Sequence, residues 1–201
     1  MATGFSRAEF VRRGVVGGGA VLVSASGLAV LPAVASADTL PDGDLAYLRL
    51  LIAAELLAVD FQTQALGSGK LHHAVRTLLH RMRSDETAHY TKLAAVMTAA
   101  GQTPATSADI DFSYPKGTFR AQASITKLAA RLERLMVGAY LGAVQNVETA
   151  DVRLPIGQIA ANEAQHAGAL AALQGESVIG KAFASALSIG EVSNALDEYE
   201  S

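Results

Sequence analysis

Residues 51–59 read LIAAELLAV, and Glu55 is the single polar residue within this apolar run. Because apolar side chains surround it on every side of a helix, its carboxylate is expected to be buried whichever way the helix turns. An unpaired buried carboxylate is costly, so a proton, a cation or a metal ion must neutralise it. The run therefore predicts a helix that carries a charged group into the core.

The helical period continues outward from this run in both directions and returns later in the chain. Apolar residues at three- and four-residue steps predict four long helices and a short amphipathic tail helix. The predicted helices cover about residues 43–66, 71–100, 120–148, 151–173 and 191–199. Gly67 and Gly69 are expected to end the first helix, and Gly101 is expected to lie just past the second.

The connections between these helices predict how they are arranged. Helices 1 and 2 are joined tightly, as are helices 3 and 4, whereas residues 102–117 are rich in Pro, Gly, Asp, Ser and Thr and predict a long connection. Each tight pair is therefore expected to form an antiparallel hairpin. The expected fold is all-α: a ferritin-like four-helix bundle with one long crossover between helices 2 and 3, plus a short C-terminal helix.

The composition agrees with such a bundle. Of 201 residues, 50% are apolar and 5% are aromatic, and Ala and Leu dominate over the residues that favour strands. The chain has no Cys, which excludes disulfide scaffolds and thiolate sites and leaves His and carboxylate as the metal-binding chemistry. A net charge of −3, without a basic block beyond the first few residues, argues against nucleic-acid binding.

Residues 1–37 have the features of an export signal. Three Arg residues form a positive front, residues 14–37 carry no charge, and Ala35-Ser36-Ala37 offers a small-x-small cleavage pattern. Cleavage after Ala37 would leave residues 38–201 as the bundle domain. We therefore expect a periplasmic, cell-envelope or extracellular protein that is not held by a membrane after cleavage.

The export route and the fate of the signal are left open by the sequence. The segment around Arg7 resembles a twin-arginine signal, but Ala8 stands where the second Arg belongs, so the general secretory route stays open as well. A retained membrane anchor is the alternative to cleavage, because the uncharged stretch is long enough to span a bilayer.

Two Glu-x-x-His motifs lie in the predicted helices. Glu86-Thr87-Ala88-His89 belongs to helix 2 and Glu163-Ala164-Gln165-His166 to helix 4. The i, i+3 spacing puts carboxylate and imidazole on one face of each helix. Helix 3 contributes Glu133, which lies within a mostly apolar stretch.

The spacing of these residues predicts that they meet. Glu86 follows Glu55 by 31 residues and Glu163 follows Glu133 by 30 residues. In each hairpin the two Glu residues are about equally far from the bend, so at about 1.5 Å per residue they reach the same depth. Four Glu and two His residues are therefore expected at one level of the bundle.

This set matches the ligands of ferritin-like di-iron and di-manganese carboxylate proteins. The sequence thus predicts a site for two metal ions, with iron expected and manganese as the alternative. Its predicted ligands are Glu55, Glu86, His89, Glu133, Glu163 and His166. We expect Glu86 and Glu163 to bridge the ions and Glu55 and Glu133 to be terminal ligands. A core with two satisfied His residues and surface Glu residues is the alternative.

With these motifs, the chain resembles the exported bacterial ferritin-like domain family, which includes desiccation-related proteins, over about residues 42–200. The resemblance implies a metal-binding bundle, and the physiological roles in this family are mostly unassigned. It is carried by Glu55, Asp85-Glu86-Thr87-Ala88-His89, Leu132-Glu133, Ala139-Tyr140-Leu141-Gly142, Glu163-Ala164-Gln165-His166 and Ser188-Ile189-Gly190-Glu191-Val192.

The expected function is that of an exported di-metal protein that reacts with O2 or peroxide or handles iron. A di-iron oxidase, ferroxidase or peroxidase would fit this chemistry. A di-manganese catalase-like enzyme would use the same six ligands, and a non-catalytic metal-binding or structural stress protein is the third reading. The oligomeric state, homo-oligomers included, is left open.

Other polar residues each allow two interpretations of their role. Tyr140 could donate a hydrogen bond to a ligand carboxylate, and the alternative is a core Tyr with a satisfied hydroxyl. Asp85 could orient a ligand, but solvation is favoured because Ser84 precedes it. A cluster of His72, His73 and His80 is expected to mark an exposed start of helix 2 rather than an accessory metal site.

Overall fold

The structure is a computed structural model that describes residues 39–200. The predicted export signal, residues 1–37, lies outside the described residues. Within residues 39–200 the chain forms five α-helices and no named strand, so the predicted all-α fold is confirmed. The helices are α1 (Asp42–Gly67), α2 (His73–Ala99), α3 (Gln122–Asn146), α4 (Ala150–Leu173) and α5 (Ile189–Asp197).

Helix α1 ends at Gly67 and Gly101 follows α2, both as expected, and Gly175 follows α4 in the same way. Gly101 has φ of +72° and Gly175 has φ of +71°, a left-handed conformation that L side chains rarely adopt. At the end of α2 the amides of Gly101 and Gln102 donate to the carbonyls of Thr98 and Met97. This is the Schellman arrangement, which satisfies helix-end carbonyls that would otherwise lack donors.

The two tight links produce two hairpins, α1 with α2 and α3 with α4, and α1 also packs against α3 and α5. Contacts on three sides explain why α1 is apolar on nearly all of its faces between Asp44 and Ala58. The second hairpin is tied to α1 by Asp44, a buried side chain that accepts hydrogen bonds from the amides of Glu148 (2.8 Å) and Thr149 (2.9 Å). The register of the two hairpins is therefore fixed by a polar contact as well as by apolar packing.

The crossover between α2 and α3 includes one short 3-10 helix, Thr118–Arg120, where the sequence predicted only irregular chain from 102 to 117 and a helix from 120. Aromatic rings hold this crossover to the bundle. Tyr114 lies 5.6 Å from Phe61, 5.3 Å from Phe119 and 6.1 Å from Tyr199, measured between ring centroids. These contacts join the crossover to α1 and to the C-terminal end of the chain.

The tail helix begins two residues earlier than predicted because Ser188 caps it. The Ser188 hydroxyl accepts a hydrogen bond from the Glu191 amide, and the Glu191 carboxylate accepts one from the Ser188 amide at 2.8 Å. This reciprocal pair is a capping box, which fixes a helix start.

The segment 176–187 leads to this helix across the surface of α3. The amide of Leu187 donates to the Gly138 carbonyl at 2.9 Å. The backbone of Leu187 lies directly over Gly142, where a side chain would occupy the same space. Gly142 is thus required by a close backbone approach.

Within residues 39–200, none of the helices is both long and apolar enough to span a membrane.

Replacing Gly142 by Ala should lower the free energy of unfolding by about 1–3 kcal/mol, because the new Cβ would overlap the carbonyl oxygen of Leu187. Gly157 lies inside α4, and the space that a Cβ would enter there is open, so Gly157→Ala is the matched control. The control should stabilise the protein by about 0.5–1 kcal/mol through helix propensity. Urea denaturation of both variants measures the difference, and equal effects would contradict the proposed contact.

Candidate metal centre

The six predicted ligands come together in the centre of the bundle. Helix α1 carries Glu55, α2 carries Glu86 and His89, α3 carries Glu133, and α4 carries Glu163 and His166. All four carboxylates are buried, with at most 2% of any of them exposed. The predicted convergence at one depth is what the structure contains, and the alternative of surface Glu residues is wrong.

The six residues form two overlapping groups. The His89 half-site consists of Glu55, Glu86, His89 and Glu163, and the His166 half-site consists of Glu86, Glu133, Glu163 and His166. Within each group the candidate ligand atoms all lie within 4.8 Å of one another. Glu86 and Glu163 belong to both groups, and these are the two residues that the sequence predicted as bridges.

The distances show how the shared carboxylates are oriented. His89 Nδ1 lies 3.0 Å from Glu86 Oε2 and 2.9 Å from Glu163 Oε1. His166 Nδ1 lies 3.1 Å from Glu86 Oε1 and 3.5 Å from Glu163 Oε2. Each shared carboxylate therefore turns one oxygen to each ring, which is the geometry that a bridge between two ions needs.

The hydrogen-bond donors of the described residues are too few to bond to all the carboxylate oxygens of this cluster. Each Nδ1 faces three carboxylates, since Glu55 also lies 3.7 Å from His89 and Glu133 also lies 3.4 Å from His166. One N–H has one proton and cannot bond to three oxygens at once. Within these six side chains, five buried atoms accordingly lack a hydrogen-bond partner: Glu55 Oε2, Glu133 Oε2, Glu163 Oε1, Glu163 Oε2 and His166 Nδ1.

A divalent cation in each half-site would contact several of these atoms at once, and four carboxylates balance the charge of two such ions. The donor set of carboxylate and imidazole suits iron or manganese. The residues present therefore fit a two-metal centre.

A profile of the ferritin-like domain matches residues 43–176 of the sequence, which is most of the described chain. The chain belongs to the ferritin-like domain family. The exported, desiccation-related subgroup suggested by the sequence motifs is a finer assignment than this match makes.

The fold of this ferritin-like domain also occurs in a solved structure of a conserved hypothetical protein from Mycobacterium tuberculosis. The TM-score is 0.58 at 20% sequence identity, and the match covers 65% of this chain and 96% of that chain. At this identity the likeness concerns the fold alone. No protein of curated function matches the sequence.

In the metal-free domain, burial and neighbouring charges shift the pKa values of three of the four carboxyls. Burial raises the pKa of Glu55 and of Glu133 well above the usual carboxyl value, and repulsion from Glu86 adds to both shifts. Burial alone would also raise the pKa of Glu163, but contacts with His166 and His89 outweigh it and lower that pKa to about 2.

The two imidazoles titrate far from neutral pH in the absence of metal. Burial alone would lower the pKa of His89, but the contacts with Glu163, Glu55 and Glu86 dominate and raise it to about 12. The same balance with Glu133, Glu163 and Glu86 raises the pKa of His166 strongly. The raised pKa values favour the imidazolium form of both rings in the metal-free protein, which the sequence did not indicate.

Tyr140 contacts the site directly. Its buried hydroxyl donates a hydrogen bond to Glu55 Oε1. The interpretation that Tyr140 donates to a ligand carboxylate is therefore correct. Burial raises the pKa of Tyr140 well above its usual value, and the neighbouring Glu55 carboxylate adds to the shift, so the hydroxyl keeps its proton and remains a donor.

Asp85 is not simply solvated, contrary to the sequence-based expectation. Its side chain is 19% exposed, accepts a hydrogen bond from Arg81 at 3.0 Å and lies 3.4 Å from His166 Nε2. A carboxylate behind the outer nitrogen of a ligating imidazole orients the ring and raises its basicity.

Gln62 also contacts the site, although it was not among the residues predicted from the sequence. This buried residue of α1 has its Nε2 3.4 Å from Glu86 Oε1, and its Oε1 has no partner within the described residues. Gln62 follows Glu55 by seven residues, as Tyr140 follows Glu133. Seven residues are two helical turns on the same face, and this repeat is the signal that could have found it.

His72, His73 and His80 are all exposed on the surface of α2, and none belongs to the two groups that could hold a metal in the described residues. The expectation of an exposed helix start is confirmed.

Metal binding is expected to release protons, because the ligands must be deprotonated and the pKa values of both imidazoles and of the Glu55 and Glu133 carboxyls are raised. We expect about two to four protons per chain when two ions bind. Calorimetric titration with Mn(II) in two buffers of different ionisation enthalpy counts them.

The sign of the pH dependence follows from the same shifts. A group with a raised pKa is protonated below that pKa and competes with the metal, so affinity should fall as the pH is lowered from about 8 to about 6. Binding without proton release and with no change over this range would contradict the described protonation states.

Proposed function

We propose that this protein is an exported di-metal carboxylate protein, with iron as the expected metal, that reacts with O2 or peroxide or handles iron. The observation that carries the proposal is the pair of half-sites that share Glu86 and Glu163 and leave buried carboxylate oxygens without donors. Buried charges in proteins are paired or bind metal ions.

Each of the six candidate ligands would hold the ions in its own way. Glu86 and Glu163 would each offer one oxygen to either ion, and Glu55 and Glu133 would each bind one ion. His89 and His166 would bind through Nδ1, the nitrogen that faces the carboxylates. Leu48, Leu51 and the other apolar residues of the core exclude bulk water from the bundle.

Two bound Fe(II) ions would supply one electron each to O2 or peroxide. The carboxylates would compensate the change in charge, because Glu55, Glu133 and Glu163 each have an oxygen without a hydrogen-bond partner within the described residues and could shift between bridging and terminal positions. Both oxygens of Glu86 have partners, Gln62 and His89. Tyr140 restrains this shift at Glu55, whose Oε1 accepts its hydroxyl hydrogen.

Export belongs to the same proposal. It is supported by the positive front, the uncharged stretch and the small-x-small pattern of residues 1–37. The motif resemblance over about residues 42–200 supports membership in the exported subgroup that includes desiccation-related proteins.

Bound metal should raise the melting temperature, because the unfolded chain has no such site. At about 100 times the dissociation constant the stabilisation is about 2.7 kcal/mol, or about 5–10 °C for a chain of this size. Glu86→Ala and Glu163→Ala should abolish this metal-dependent shift, because each residue is shared by both half-sites.

The matched control is Glu176→Ala, which removes an exposed Glu that only pairs with Arg134 at 3.7 Å. It should keep the full shift. Thermal melting of the four proteins with chelator and with Fe(II) or Mn(II) gives the comparison. Equal shifts in all four proteins would contradict the site.

Reactivity is tested with protein loaded anaerobically with Fe(II) and then mixed with O2 or H2O2. We expect transient near-ultraviolet or visible absorption and consumption of oxidant in proportion to bound iron. If metal-loaded protein reacts with neither oxidant, the centre binds metal without redox turnover and the protein is a metal-binding or structural protein instead.

A further inference from the structure

The two half-sites contain the same types of ligand but have different neighbours. Each has one terminal Glu, one His and one oxygen from each shared carboxylate. The difference lies in which group of the chain touches the terminal Glu and which group stands behind the His. Such outer contacts change metal affinity without changing the ligands.

In the His89 half-site, the terminal carboxylate is already engaged. Oε2 of each terminal Glu lacks a hydrogen-bond partner within the described residues, but Glu55 Oε1 accepts the hydroxyl hydrogen of Tyr140, and no hydroxyl or amide side chain there donates to Glu133. A hydrogen bond to a carboxylate stabilises its charge and makes it a weaker donor to a metal ion. Glu133 is therefore the stronger terminal ligand.

In the His166 half-site, the imidazole has a carboxylate behind it. His166 Nε2 lies 3.4 Å from Asp85 Oδ2, and a ring that donates to a carboxylate binds metal more tightly through its other nitrogen. Asp85 directly precedes the first Glu-x-x-His motif. The residue that directly precedes the second motif is Asn162, which carries no charge. Within the described residues, the ion pairs of His89 all involve Nδ1 and none involves Nε2.

Gln62 is expected to weaken metal binding at the His166 half-site, but only slightly. Its Nε2 is 3.4 Å from Glu86 Oε1, the oxygen that faces His166, and a bond of this length is long for an N–H donor. Glu86 also serves both half-sites, so the effect on the difference between them is small compared with that of Tyr140 on Glu55.

We infer that the two metal positions are unequal: an ion at the His166 half-site is held tightly, and an ion at the His89 half-site is held loosely and exchanges. Asp85 and Tyr140 are the positioning residues that create the difference. The inference rests on the proposed function, since it assumes that both positions bind metal. It gives the two ions different roles, one resident in the protein and one that arrives and leaves as a divalent cation.

The first test is a titration of the metal-free protein with Mn(II), in which the electron paramagnetic resonance signal of free Mn(II) reports the unbound ion. We expect two ions per chain with dissociation constants at least about tenfold apart. His89→Gln should lose the weaker ion and keep the tighter one, and His166→Gln should lose the tighter one.

The second test changes the neighbours and leaves the ligands in place. Asp85→Asn should weaken the tighter ion about tenfold, and Tyr140→Phe should strengthen the weaker ion and reduce the gap. Asp60→Asn and Tyr47→Phe are the matched controls: Asp60 accepts from Tyr114, and Tyr47 bonds to Asn146, so neither contacts a site residue through these bonds. Both controls should keep the affinities of the wild type.

The outcomes separate this inference from the proposed function. Two equal affinities in the wild type, loss of the tighter ion in His89→Gln, or affinities unchanged in both Asp85→Asn and Tyr140→Phe would overturn the inference while the two-metal centre stands. If neither Mn(II) nor Fe(II) binds under anaerobic conditions, both are overturned.

Discussion

The main constraint on this structure is that four carboxylates lie together in one apolar core and repel one another. Glu55, Glu86, Glu133 and Glu163 are all buried, and no arrangement of the surrounding donors satisfies all their oxygens. In the absence of metal, the raised pKa values of two carboxyls and two imidazoles favour protonated forms that reduce this repulsion. Such a cluster destabilises a bundle that binds nothing, which supports the proposal that cations replace the protons.

The rest of the fold keeps these groups at one depth. Two hairpins supply them in pairs, and the crossover sets the second hairpin against the first. Asp44 joins α1 to the turn between α3 and α4, and Tyr114 joins the crossover to Phe61. The Asp44 contact lies away from the site but holds α1 level with the turn between α3 and α4, and a shift of one helical turn of about 5.4 Å would separate the ligands.

The near-symmetry of the two hairpins makes their differences informative. Both place a Glu-x-x-His motif opposite a terminal Glu, and both place a polar residue seven positions after that Glu. One of these residues is Tyr140 and the other is Gln62, and one motif is preceded by Asp85 whereas the other is preceded by Asn162. A nearly symmetric frame therefore places two overlapping groups of candidate ligands in unlike surroundings, and the proposed difference between a resident and an exchanging ion rests on this asymmetry.

The sequence by itself determined the helices, the two hairpins and the six candidate ligands, because periodicity, glycine stops and matched spacing are local properties that a linear chain displays. Tertiary structure alone decided the contacts between residues distant in the chain. Tyr140 reaches Glu55 across 85 residues, and Asp85 reaches His166 across 81. It also decided the raised pKa of His89, which depends on three carboxylates from three helices. Interactions of this kind depend on distances in space, which the spacing within one helix does not contain.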